Sequence, residues 1–109
     1  MSKTYLGEFE ELVLTIVAIL GDEAYGNNIV KAIKMHQDRS VNLSAVHVTL
    51  YRLEDKGFVQ SSVGGATSER GGRRKRYFTI TTAGIAILKG IKESRTQLWD
   101  MIPQLKFSL

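Results

Sequence analysis

The 109-residue chain has no cysteine, a single proline and only two histidines. Without cysteine there are no disulfides and no thiolate metal ligands, which accords with a reducing compartment, so a cytoplasmic location is expected. His36 and His47 are not at a metal-binding spacing, and no glycine-rich phosphate loop followed by Lys and Ser/Thr occurs. The expectation is therefore a non-enzyme without metal or cofactor. Glu8, Glu10 and Glu11 cluster where a helix begins and are favoured by its dipole, so they do not read as an acid–base pair. Long apolar runs are also missing. The longest, residues 12–20, is interrupted by Thr15 and is well short of the roughly 18 residues of a membrane span. Acidic residues precede it rather than the positive start of a secretory signal. No membrane partner is expected.

What is present is a concentrated positive charge. The net charge is +4 and the isoelectric point about 9.5. The segment 69–76, ERGGRRKR, holds five basic residues (Arg70, Arg73, Arg74, Lys75 and Arg76) against Glu69. It therefore carries the whole formal excess, because the other basic and acidic residues balance at ten each. A patch this local suits a polyanion. The plain alternative is a solvated loop with chance charges.

Hydrophobic periodicity gives the order of elements. Leu6, Phe9, Val13, Ile16, Val17 and Leu20 recur at helical spacing, with Gly21 as a stop. Ile29, Val30, Ile33 and Met35 mark a second helix over residues 26–36. A third helix, capped by Asn42 or Ser44, carries Val46, Leu50 and Leu53 on one face and ends at Gly57. Phe58 and Val59 open a strand, residues 63–72 are glycine- and serine-rich, and KRYFTI (75–80) has the composition of a return strand. Thr81 or Thr82 caps a last helix whose Leu88, Ile91, Leu98, Ile102 and Leu105 follow a heptad seam, with Arg95 on the seam. Pro103 should end or kink it near Met101. The predicted fold class is mainly α with a β-hairpin wing: a winged helix-turn-helix over residues 1–81, and a C-terminal dimerisation helix and tail over 82–109, in one compact unit.

Three helices followed by a hairpin form an arrangement in which the third helix fits the DNA major groove and the wing reaches phosphates or a minor groove. Glycines 64, 65, 71 and 72 would let the wing backbone approach DNA closely. LGEFEELVLTIVAIL followed by AYG, AVHVTLYRLEDKGFV, and GGRRKRYFTITTAG resemble, in this order, the PadR-like transcriptional regulators. The resemblance implies a homodimer built through the last helix and helix one, and repression by binding a pseudo-palindromic operator. The short length is similar to the compact branch, whose members can bind flat aromatic or drug-like molecules in the dimer interface. Two departures stand out. His47 occupies a position where the family usually has tyrosine. Ser94 lies near a position where some relatives carry tryptophan, while Trp99 comes one turn later.

The candidate DNA contacts are Asn27, Asn28 and Lys31 on helix two; Ser44, His47, Val48, Tyr51 and Arg52 on helix three; and Arg70, Arg73, Arg74, Lys75 and Arg76 in the wing. Lys75 and Arg76 can point to opposite sides, since strand side chains alternate. The candidate dimer interface is Leu88, Ile91, Arg95, Leu98, Trp99 and Ile102, with Arg95 facing Glu93 or Asp100 of a second copy. Trp99 is read either as interface core or as a platform for an aromatic effector. The expected partners are double-stranded DNA, a second copy of the chain and such an effector. The alternative is a winged-helix protein-interaction module. RNA is disfavoured, because duplex RNA hides its major groove from a helix and no aromatic platform for single strands is evident.

Overall fold

The computed structural model describes residues 5–64 and 75–103. Helix α1 spans Glu8–Leu20 and α2 spans Gly26–Gln37, joined by a short 3-10 turn at Gly21–Glu23. Helix α3 (Leu43–Asp55) leads into strands β1 (Val59–Val63) and β2 (Arg76–Ile80), and α4 covers Thr82–Asp100. This is the expected winged-helix order. Among the described residues no helix is long and apolar enough to cross a membrane.

Local chemistry explains the boundaries. Helix α1 starts where the Glu10 carboxylate accepts from the Gly7 N–H at 2.9 Å. It stops at Gly21, whose φ of +56° is accessible to glycine at little cost. Asn42, not Ser44, caps α3 by accepting from the Ala45 N–H at 2.9 Å. Gly57, at φ +83°, turns the chain out of α3 into the hairpin. Thr81, not Thr82, caps α4: its Oγ1 accepts from the Gly84 N–H at 3.0 Å and donates to the Gly57 carbonyl at 2.7 Å. Helix α4 ends at Asp100, ahead of Pro103, as the missing proline N–H requires.

The core forms where the apolar stripes of α1, α2 and α3 meet the inner face of the hairpin. Val13, Leu14, Val17, Ile29, Ile33, Val46, Leu50, Leu53, Val59 and Phe78 are fully buried. Each such side chain contributes about 1.5–3 kcal/mol on burial. Met35, expected to extend the apolar stripe of α2, points to solvent instead. The antiparallel register pairs Val59 with Ile80, Ser61 with Phe78 and Val63 with Arg76. One face of the hairpin therefore points at the core and the other, carrying Gln60, Ser62, Tyr77 and Thr79, points away. The hairpin is also stitched to the start of α2. The Phe78 N–H donates to the Ala24 carbonyl at 2.8 Å, and Tyr25 pairs with Tyr77 as an isolated β-bridge.

Helix α4 buries little. Gly84 is its one buried residue, and it sits against the Phe58 carbonyl and the Ile80 side chain. Ile87 and Leu88 pack on the core from outside, whereas Ile85, Leu98, Trp99 and Ile102 are exposed. Nineteen residues give a helix roughly 28 Å long at about 1.5 Å per residue. From residue 92 to its end every residue of this helix is exposed, the apolar Leu98 and Trp99 included.

Candidate nucleic-acid interface

Helix α3 has two chemically distinct faces. Val46, Thr49, Leu50 and Leu53 are buried, while Ser44, Val48, Tyr51 and Arg52 are exposed and His47 is half-buried. Val48 is 51% exposed and Tyr51 46%, on a helix whose other face is sealed. Tyr51 is braced from behind by the Phe78 ring, edge to face at 6.1 Å, and has His47 at 6.5 Å on its other side.

His47 is partly a packing residue. A Cβ on Gly26 would lie 2.5 Å from His47 Nε2 and 2.8 Å from Leu43 Cδ1. The start of α2 therefore packs closely against the ends of the His47 and Leu43 side chains. The imidazole covers that junction while its flank stays on the outward face. On α2, Asn27 and Lys31 are exposed. Asn28 is half-buried, and its amide donates to the Glu23 carbonyl at 3.0 Å, so it is already used in holding the preceding turn.

At the foot of the wing, Lys75, directly before β2, and Arg76, its first residue, meet different partners. Lys75 Nζ stands 4.3 Å from the centre of the Tyr25 ring and donates to its hydroxyl at 3.3 Å. The Tyr25 hydroxyl beside it raises the ammonium pKa above the usual 10.5, so Lys75 stays charged. Arg76 donates to Ser61 Oγ at 3.0 Å, and Ser61 Oγ in turn donates to Glu54 at 2.6 Å. Part of the Arg76 charge is thus offset from α3. Arg70, Arg73 and Arg74, together with glycines 65, 71 and 72, lie outside the described residues. So does Leu105 of the expected seam.

The expected dimer residues are spread along α4. Leu88 packs on its own chain's core, Ile91 is half-buried, and Leu98, Trp99 and Ile102 are exposed. Arg95 makes a two-pronged ion pair with Glu11 of its own α1, at 2.7 and 2.8 Å. The reason is geometric: α1 runs beside α4 and presents Glu11 to it. A groove of about 830 Å³, lined largely by Tyr5, Phe58, Ala86, Ile87, Ile91 and Leu98, opens along this helix; Trp99 is not among its walls.

Sequence reasoning missed the parts played by Tyr25, Gly26, Glu54 and Ser61. The Tyr25-Gly26 pair at the start of α2 was the local signal for the first two, since glycine can mark a close approach of backbone to a neighbour. Nothing local marks Glu54 or Ser61, which meet across the α3–β1 turn.

The sequence profile of the transcriptional regulator PadR-like family matches residues 13–95, well over half of the chain. The chain belongs to the PadR-like family. Members of this family are transcriptional regulators, not enzymes. Among solved structures, a regulator from Clostridium thermocellum is 27% identical, with a TM-score of 0.67 over 85% of this chain and 87% of that one. A PadR family regulator from Clostridium difficile is 24% identical, with a TM-score of 0.69 over 86% and 93%. Bacillus subtilis PadR, solved in complex with operator DNA, is 21% identical with a TM-score of 0.65, over 78% of this PadR-like chain and 46% of that one. No curated protein matches the chain.

Proposed function

We propose that this PadR-like regulator is a homodimeric repressor that binds a pseudo-palindromic operator through α3 and the basic wing. The observation that carries the reading is the outward face of α3. Ser44, His47, Val48, Tyr51 and Arg52 line one side of a helix whose other side is sealed in the core, beside a hairpin foot that presents Lys75. Such a helix fits a major groove about 12 Å wide, where Val48 meets a thymine methyl and Ser44 a phosphate or base edge. Arg52, late in the helix, takes phosphate. Asn27 and Lys31 contact the backbone from α2, and Arg70, Arg73 and Arg74 supply charge from the wing. Bacillus subtilis PadR, which shares this fold, was solved in complex with operator DNA.

In this reading residues 1–81 bind DNA and residues 82–109 pair two copies. Support comes from the exposed Leu98, Trp99 and Ile102 and from the apolar groove along α4. A symmetric dimer then sets half-sites one helical turn or more apart. A flat aromatic effector held between the copies, along the groove beside α4, would release the operator.

The deciding experiment is a gel shift with the protein's own upstream DNA, set against random duplex and duplex RNA. Preferential retardation of the upstream fragment is expected. Binding to none of the three would overturn the reading in favour of a protein-interaction module. Sedimentation should give a dimer at micromolar concentration, and a monomer there would remove the second half of the proposal.

A further inference from the structure

Most basic side chains with a defined partner here are paired with carboxylates. Lys34 meets Asp38, Arg39 meets Glu8, Lys56 meets Glu10, and Arg95 meets Glu11. Lys75 is different. Its partner is an aromatic ring and a phenol, and among the described residues no carboxylate forms an ion pair with it. A carboxylate would fix the ammonium and cancel it; a ring fixes the ammonium and leaves its charge available to a second anion.

The support beneath it is itself well held. Tyr25 is tied by its backbone to Tyr77 of β2, and the two rings meet edge to face at 5.4 Å. The Tyr77 ring covers Gly64, where a Cβ would come within 2.5 Å of the ring. The Gly64 N–H donates to the Lys75 carbonyl at 2.6 Å. Backbone and side chain of Lys75 are thus both anchored, at the point where the wing leaves the domain and directly before the first turn of α2.

We propose that Tyr25 is a positioning residue for DNA binding, presenting the Lys75 ammonium to a backbone phosphate that passes between the wing and the start of α2. Lysine is a flexible point charge, and ordering it before the partner arrives removes part of the entropic cost of binding. This rests on the DNA-binding reading above and assigns a role to a residue that need not touch DNA.

A double-mutant cycle on binding to random-sequence duplex DNA tests it, because a phosphate contact is independent of sequence. K75Q should weaken binding and lower the slope of log affinity against log salt by about one. Y25L should weaken binding about two- to fivefold, and Y25F, which keeps the ring, should stay within about twofold of wild type. In the K75Q background Y25L should have no further effect. A merely structural Tyr25 would weaken both backgrounds equally, and that result would overturn the proposal, as would a K75Q variant that binds like wild type. If wild type binds no duplex at all, the DNA-binding reading fails and this one with it. Retained wild-type binding with an additive cycle removes Tyr25 alone. A second measurement does not depend on Y25L folding: NMR of wild type should place the Lys75 ε-methylene protons upfield through the Tyr25 ring current, and their absence there would overturn the stack.

Discussion

Replacing Gly84 by alanine separates two effects of opposite sign. Alanine is the better helix former by up to about 1 kcal/mol, so propensity alone predicts a gain. Packing predicts the reverse. The new Cβ would run into the Phe58 carbonyl and come within 2.7 Å of Ile80 Cγ1. The carbonyl is backbone and also accepts from the Thr81 N–H at 3.0 Å, so it cannot yield without loosening the start of α4. Overpacking of this kind costs about 1–3 kcal/mol. Loss of the Thr81 cap adds about 0.5–2 kcal/mol. Set against the propensity gain, the net expectation is a loss of about 0.5–4 kcal/mol, and a loss at the middle of that range is roughly 10 °C in Tm for a domain of this size. The assay is equilibrium unfolding in urea, with thermal melts at fixed protein concentration, since association would shift Tm. T81A should cost about 1 kcal/mol alone and much less in the G84A background. A G84A protein as stable as wild type would refute the claim that α4 is seated by this contact.

Three further outcomes are expected. G26A should cost no more than about 1 kcal/mol, because its Cβ meets only the movable ends of the His47 and Leu43 side chains, and less still in an H47A background, as denaturant titrations of the four proteins would show. N42A should cost about 1 kcal/mol by removing the α3 cap, read in the same titration. For Glu10, burial acts to raise the carboxyl pKa. The Gly7 N–H, the Lys56 ammonium and the more distant Arg52 outweigh it and hold the pKa below the ordinary 4.5. A depressed carboxyl contributes stability above its unfolded pKa and loses it as pH falls through the folded value. Stability measured downward from about pH 5 should therefore decline less steeply in E10Q than in wild type, whereas parallel curves would remove Glu10 from the account.

Much of the architecture was legible because it is local. Helical periodicity, a strand-like KRYFTI, Gly21 and Gly57 at chain reversals and capping residues before α3 and α4 all act over three or four positions. The choice of Asn42 over Ser44 and of Thr81 over Thr82 was open in the sequence, because either residue of each pair has the right chemistry. Only the backbone conformation selects one. The outward residues of α3 were legible for a similar reason: once Val46, Leu50 and Leu53 face the core, 3.6 residues per turn place Ser44, Val48 and Arg52 elsewhere.

By itself the sequence determined the order of elements, the location of the net charge in residues 69–76 and the apolar pattern of the last helix. Tertiary structure decided what each charged or polar group does. Arg95 meets Glu11 across 84 positions of chain, Lys75 meets Tyr25 across 50, and Lys56 meets Glu10 across 46. No periodicity encodes such pairs, since they exist only after α1, α4 and the wing have packed. That packing separated two neighbours in one basic run: Arg76 was turned toward Ser61 and Glu54, and Lys75 onto an aromatic ring that leaves its charge exposed.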